Sequence, residues 1–166
     1  MLEIALQKGK QLPVSKRYVV AQHEQVEKLA LSYGYEIIHN KHPEKGISHS
    51  IVLAVNSCKE DDGILFMVAD QPLLKETTLQ NILEKADEKH IVCVGNHDNF
   101  QNPMLFPKRY YEELLQLQGD KGAKKIAYVH KENVICVPCE KDEVFDFDTK
   151  KELQQFMMEG LNKDKC

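Results

Sequence analysis

Apolar residues recur along this chain with two alternating periods. Val26, Leu29, Ala30 and Tyr33 fall at i, i+3, i+4 and i+7, which lines one face of a helix over residues 24–33. Gly34 follows where a left-handed residue would close that helix. The same spacing predicts helices over residues 1–7 (Leu2, Ala5 and Leu6 inward), 50–57, 75–88, 108–117, 122–128 and 149–161. The last opens on Thr149 and Glu152, the spacing of a capping box. Between the helices lie short β-branched or aromatic runs at residues 17–21, 36–39, 64–69, 90–94, 133–137 and 144–147, with a further short one at 104–106. Residues 64–69 are apolar on both faces, as in a strand buried within a parallel sheet.

Strands alternating with helices imply an α/β domain, with flanking helices on a mostly parallel sheet and right-handed crossovers. With 166 residues and no repeat, linker or low-complexity tract, residues 1–166 are expected to belong to a single domain. Ligands of such sheets sit beyond the carboxyl ends of the strands, so the residues that follow each strand carry the functional information.

Charge and composition narrow the partners. Lys and Arg number 22 against 26 Asp and Glu, a net charge of −4, which argues against nucleic acid and anionic membranes as partners. No apolar run approaches the length of a membrane span. The opening Met1-Leu2-Glu3-Ile4 has no basic region of a signal peptide. Five cysteines, an odd count, suit reduced thiols rather than a disulfide framework, so the expected location is cytoplasmic.

Asp70 stands at the exit of the most apolar run, in Asp70-Gln71-Pro72, and the proline stops the strand there. Asp70 either caps a turn or offers a carboxylate to a Mg²⁺ whose other ligands are waters and phosphate. Asp146 and Asp148 alternate about Phe147 and share one side, just before the Thr149 cap. They either favour the helix dipole or, with Asp70, clamp a metal. Gly46-Ile47-Ser48-His49-Ser50 opens a helix; its amides and hydroxyls suit an anion or a base edge, while Ser48 or Ser50 could equally be the N-cap. Gly119-Asp120-Lys121-Gly122-Ala123 fits a turn between two helices. Cys136-Val137-Pro138-Cys139 ends a strand rather than beginning a helix, and no histidine is spaced to complete a zinc site, so structural thiols are expected.

These segments, in this order, resemble the MobA-like NTP-transferase family, within it the molybdenum cofactor cytidylyltransferase branch. The resemblance rests on Gly46-Ile47-Ser48-His49-Ser50, Val68-Ala69-Asp70-Gln71-Pro72, Asn102-Pro103-Met104-Leu105-Phe106, Gly119-Asp120-Lys121-Gly122-Ala123 and Asp146-Phe147-Asp148-Thr149. It implies a Rossmann-like, nucleotide-diphospho-sugar-transferase-like fold. It implies transfer of CMP, or another NMP, from an NTP to a molybdopterin-type phosphate with release of pyrophosphate. Asp70 and Asp148 would be the catalytic metal ligands, for Mg²⁺ or alternatively Mn²⁺. Gly46, Ser48, Ser50 and Asp70 would face the nucleotide; Asn102, Pro103, Gly119, Asp120 and Gly122 would shape the acceptor side. The family also opens with a strand and a glycine-rich triphosphate loop that have no counterpart in this sequence. Little or no turnover is therefore expected, as is a free sheet edge favouring a homodimer. The alternative is a non-catalytic protein that binds a pterin cofactor or a nucleotide.

Overall fold

Helices and strands alternate as the periodicity predicts. The computed structural model describes residues 1–163, in the order α1 (Leu2–Lys10), β1 (Tyr18–Ala21), α2 (Glu24–Ser32), β2 (Glu36–His39), α3 (Ile47–Ser57), β3 (Gly63–Phe66), α4 (Glu76–Glu84), β4 (Ile91–Asn96), β5 (Asn99–Pro107), α5 (Tyr111–Leu115), α6 (Lys124–Val129), β6 (Val134–Val137) and α7 (Lys150–Lys163). Local chemistry fixes several boundaries. Gly34, at φ 81°, ends α2 with its N–H on Leu31 O (2.9 Å) while the Tyr35 N–H reaches Ala30 O (3.1 Å), a Schellman closure. At the head of α7 the Glu152 N–H donates to Thr149 Oγ1 (3.2 Å) and the Thr149 N–H donates to Glu152 Oε2 (3.3 Å), completing the capping box.

The strands form two ladders. β1 and β2 pair in parallel, and a four-stranded sheet runs β3-β5-β4-β6. β5 is antiparallel to both β3 and β4, whereas β4 and β6 are parallel. The strands are thus mostly parallel in direction, as expected, and the sheet is mixed because β5 alone runs against its neighbours. The reversal follows from the tight turn between β4 and β5, where Asn96 Oδ1 accepts the N–H groups of Asp98 and Asn99, both at 3.0 Å. Gly95, at φ 108°, precedes that turn, and a Cβ there would collide with the Asn99 carbonyl.

The core sits on both faces of this sheet. Ile91, Cys93, Met104 and Phe106 pack with Ile51 and Val55 of α3, Leu114 of α5, and Ile126 and Ala127 of α6. The alternate positions Val92, Val94 and Leu105 pack with Ile82 of α4. β4 is thus apolar at every position from Ile91 to Val94, all of them 0% exposed, as a strand covered on both faces requires.

Three further boundaries differ from expectation. The strand at 64–69 is confined to Gly63–Phe66 and pairs on one side only, with β5, which leaves residues 64–68 half-buried. The short strand expected at 104–106 is the nine-residue β5. The strand expected at 144–147 is instead a single 3-10 turn, Lys141–Val144, followed by extended chain. Glu143 imposes that turn. It is 3% exposed, it accepts from Thr78 Oγ1 (2.6 Å) and the Lys75 N–H (3.0 Å), and it closes a capping box with Glu140. Those bonds hold its carboxyl below the ordinary range against the upward push of burial. No described helix is long and apolar enough to cross a membrane.

Candidate active site

Two segments far apart in sequence meet at the turn that follows β3. The Phe147 N–H donates to the Asp70 carbonyl at 2.8 Å, and Gln71 Nε2 donates to Asp146 Oδ1 at 3.0 Å. From the other side Lys8 of α1 donates from Nζ to the Pro72 carbonyl at 2.6 Å. Alternation holds through the second segment: Phe147 is buried against Phe156 of α7, while Asp146 and Asp148 are exposed. A shallow cleft of about 280 Å³ results, lined by Met1, Leu2, Ala69, Asp70, Phe147 and Asp148. The two carboxylates singled out in the sequence, Asp70 and Asp148, line it together.

The electrostatics of this cleft are unbalanced. Burial lifts the Asp70 carboxyl above its ordinary range; a hydrogen bond to its own backbone partly opposes this, and the charges of Asp146 and Asp148 add to the rise. Asp70 Oδ1 and Gln71 Oε1 are both buried without a hydrogen-bond donor. An unpaired buried acceptor costs about 1–3 kcal/mol, and of the two residues only Asp70 lines the cleft, where a cation or a donor would offset that cost. Among the described residues no three His, Cys, Asp or Glu side chains are gathered as a closed metal cage. Two carboxylates with open positions fit a hard divalent cation that keeps waters and accepts phosphate oxygens, so the donor set suits Mg²⁺ or Mn²⁺.

The glycine motifs meet elsewhere. A larger cleft of about 560 Å³ is lined by Glu44 to Gly46, Ser48, His49 and Val52 on one side and by Leu115 to Asp120 on the other. The Ser48 N–H donates to the Gly119 carbonyl at 3.2 Å. Gly46, at φ 80°, has no room for a Cβ, which would strike the Asp120 carboxylate and the Gly119 carbonyl. Gly46, Ser48, Gly119 and Asp120 therefore belong to one constellation. Helix α3 begins at Ile47, so Ser48 and Ser50 lie inside its first turn rather than at the N-cap, which is Gly46. Ser50 Oγ accepts from Asn40 Nδ2 at 3.1 Å, and the Asn40 N–H bonds the last residue of β1 through Ala21 O at 2.7 Å. Ser50 thus ties α3 to the carboxyl end of the β1–β2 ladder.

Gly122 lines neither cleft, nor do Asn102 and Pro103, which lie within β5 on either side of a cis peptide bond. The Pro103 side chain is under 2% exposed. Cys136 faces Cys93 across β4 and β6, and burial pushes the Cys93 thiol up to about 12. Cys58, Cys93, Cys136 and Cys139 are all free. Sequence reasoning missed Gln71 and Lys8 as site-building residues. Gln71 stood inside the quoted motif, but its partner is 75 positions away.

The family model for the MobA-like NTP transferase domain matches residues 1–134. The chain belongs to this family. Asp70 lies within the matched residues, whereas Asp146 and Asp148 lie beyond them. Solved structures share the family's fold. A nucleotidyl transferase from Methanothermobacter thermautotrophicus superposes with a TM-score of 0.78 at 19% identity, covering 97% of this chain and 81% of that one. A Mycobacterium tuberculosis protein in complex with manganese gives 0.75 at 21% identity over 93% and 83% of the two chains. The 4-diphosphocytidyl-2C-methyl-D-erythritol synthase of Anaerococcus prevotii gives 0.71 at 14% identity over 93% and 82%.

Proposed function

We propose that this member of the MobA-like family is a divalent-metal-dependent nucleotidyltransferase that moves CMP from CTP onto a molybdopterin-type phosphate. The observation that carries this reading is the buried, donor-free Asp70 Oδ1 in the cleft it shares with Asp148. Acidic side chains so placed suit a cation, and a divalent metal of the kind the family binds alongside its nucleoside triphosphate would supply that charge. The choice of metal is supported by the manganese complex of the mycobacterial neighbour, and the choice of base by the cytidyl group in the name of the Anaerococcus enzyme.

In the reaction an oxygen of the acceptor phosphate attacks the α-phosphorus of CTP. A new P–O bond forms, the bond to the bridging oxygen of the β-phosphate breaks, and pyrophosphate leaves with that electron pair. A bound Mg²⁺ or Mn²⁺ supplies neutralisation of the phosphate charge during this exchange. The protein's own contribution is placement. Asp70 and Asp148 would hold the cation, each on a segment locked by the Phe147–Asp70 backbone bond. The Gly46 and Gly119 cleft, where the Asp120 carboxylate packs against Gly46, would take the base or the acceptor.

Manganese titration followed by electron paramagnetic resonance tests this. One Mn²⁺ per chain is expected, bound more tightly with CTP present and lost in Asp70→Asn. Because the family's glycine-rich triphosphate loop has no counterpart in this sequence, molybdopterin should release little or no pyrophosphate until such a segment is joined ahead of Met1. Tight CTP binding without release even then identifies a nucleotide-binding protein instead, and absence of Mn²⁺ binding removes Asp70 and Asp148 from any metal role.

A further inference from the structure

We propose that Gln71 is the positioning residue of the carboxylate cleft. It acts through Asp146. The inference rests on the metal-dependent reading above and goes beyond it, because it separates Asp146 from Asp148 in role.

Gln71 is 7% exposed, and Pro72 beside it is buried as well. Its Nε2 donates to Asp146 Oδ1 at 3.0 Å. One residue on either side of that bond, the Phe147 N–H donates to the Asp70 carbonyl at 2.8 Å. The side-chain bond and the backbone bond together fix the extended chain 146–148 against the turn 70–72 in one register. Asp148 lines the cleft; Asp146 does not. Asp146 is thus the anchor that Gln71 grips, and Asp148 is what the grip presents beside Asp70. Any slip of the grip shifts the separation of the two carboxylates, and with it the cation's coordination.

The same amide leaves Oε1 buried with no donor. The bond to Asp146 requires the NH₂ end of the amide to face the carboxylate, because two acceptors would repel, so the oxygen cannot be exchanged into that position. Gln71 itself is not among the residues that line the cleft, so what it does to a cation held there it does through Asp146. Partners of this kind, one shell out from a metal, commonly shift its affinity by about 10–100-fold when removed.

The test is Mn²⁺ affinity of the full chain, without nucleotide, in four variants, with thermal melting to confirm folding. Gln71→Met, of similar length but with neither donor nor acceptor, should weaken Mn²⁺ by about tenfold or more. Asp146→Asn keeps an oxygen for Gln71 and should stay within about threefold of wild type, whereas Asp146→Ala should fall to the level of Gln71→Met. The double variant Gln71→Met/Asp146→Ala should be no weaker than either single one, as expected for two residues acting through one bond. Unchanged affinity in Gln71→Met overturns the proposal while the metal reading stands. So does an Asp146→Asn loss as deep as that of Asp70→Asn, which would make Asp146 a ligand itself. If Gln71→Met does not fold, the two Asp146 variants decide between these outcomes. A wild-type chain that binds no Mn²⁺ overturns both readings together.

Discussion

Beneath β4 every inward side chain has apolar neighbours on both faces of the sheet; at the turn after β3, two buried acceptor atoms have no partner at all. The two regions are joined through β5, which pairs with both strands, yet they obey opposite rules. Ile91 to Val94 are 0% exposed and carry no unpaired side-chain polar atom. Asp70 and Gln71 each carry one. The first region gains stability from area removed from water. The second gives some of that stability up, and what it keeps in exchange is a demand for positive charge. The contrast separates substitutions that unfold the protein from those that only silence it.

The largest effect is expected in the core. Phe106 is 0% exposed between Phe66 and Tyr110, and Phe106→Ala should cost about 3–5 kcal/mol in urea unfolding. The Mn²⁺ affinity of the molecules that remain folded should be unchanged, and a loss of affinity there would show that the two regions are not independent. Next comes the acidity of the cleft. Asp70 titrates above its ordinary range in the folded protein, so the folded state holds the proton more tightly than the unfolded one. The resulting stability is complete below the ordinary Asp value of about 3.9 and is lost as pH rises through the elevated folded value. Melting temperatures of the metal-free protein should therefore fall across that window. In Asp70→Asn the fall should flatten, and in wild type Mn²⁺ should oppose it and bind less tightly as pH drops. A pH profile identical in wild type and Asp70→Asn would refute the assignment. The smallest effect belongs to a site that serves neither region directly: Thr149→Ala removes the α7 cap and should cost about 1 kcal/mol, measured by thermal melting.

What the sequence made legible was local. The Gly34 closure, the Thr149–Glu152 box and the alternation about Phe147 each depend on residues within a few positions, and each is present as expected. The turn at Asp70 was legible because Pro72 halts the apolar run before it, although β3 itself stops earlier, at Phe66. The reversal of β5 was not, because Asn102-Pro103 looks like loop chemistry and the pairing that overrides it is made with residues of β3 up to 44 positions away. β3 misled for the related reason that apolarity on both faces reports a wish for burial, not the number of neighbouring strands. The bond from Gln71 to Asp146 had no local trace at all. Glu143, by contrast, looked like one acid among many, and only the fold shows it buried beneath α4.

The single N–H of Phe147 on the Asp70 carbonyl gives the molecule a built-in gauge. Its exchange with deuterium requires that bond to open, and opening it parts the two acid-bearing segments. The protection of this one amide, set beside that of the β4 amides, therefore counts how often the cleft comes apart while the core stays closed. A ligand that bridges Asp70 and Asp148 would slow that clock without touching the others.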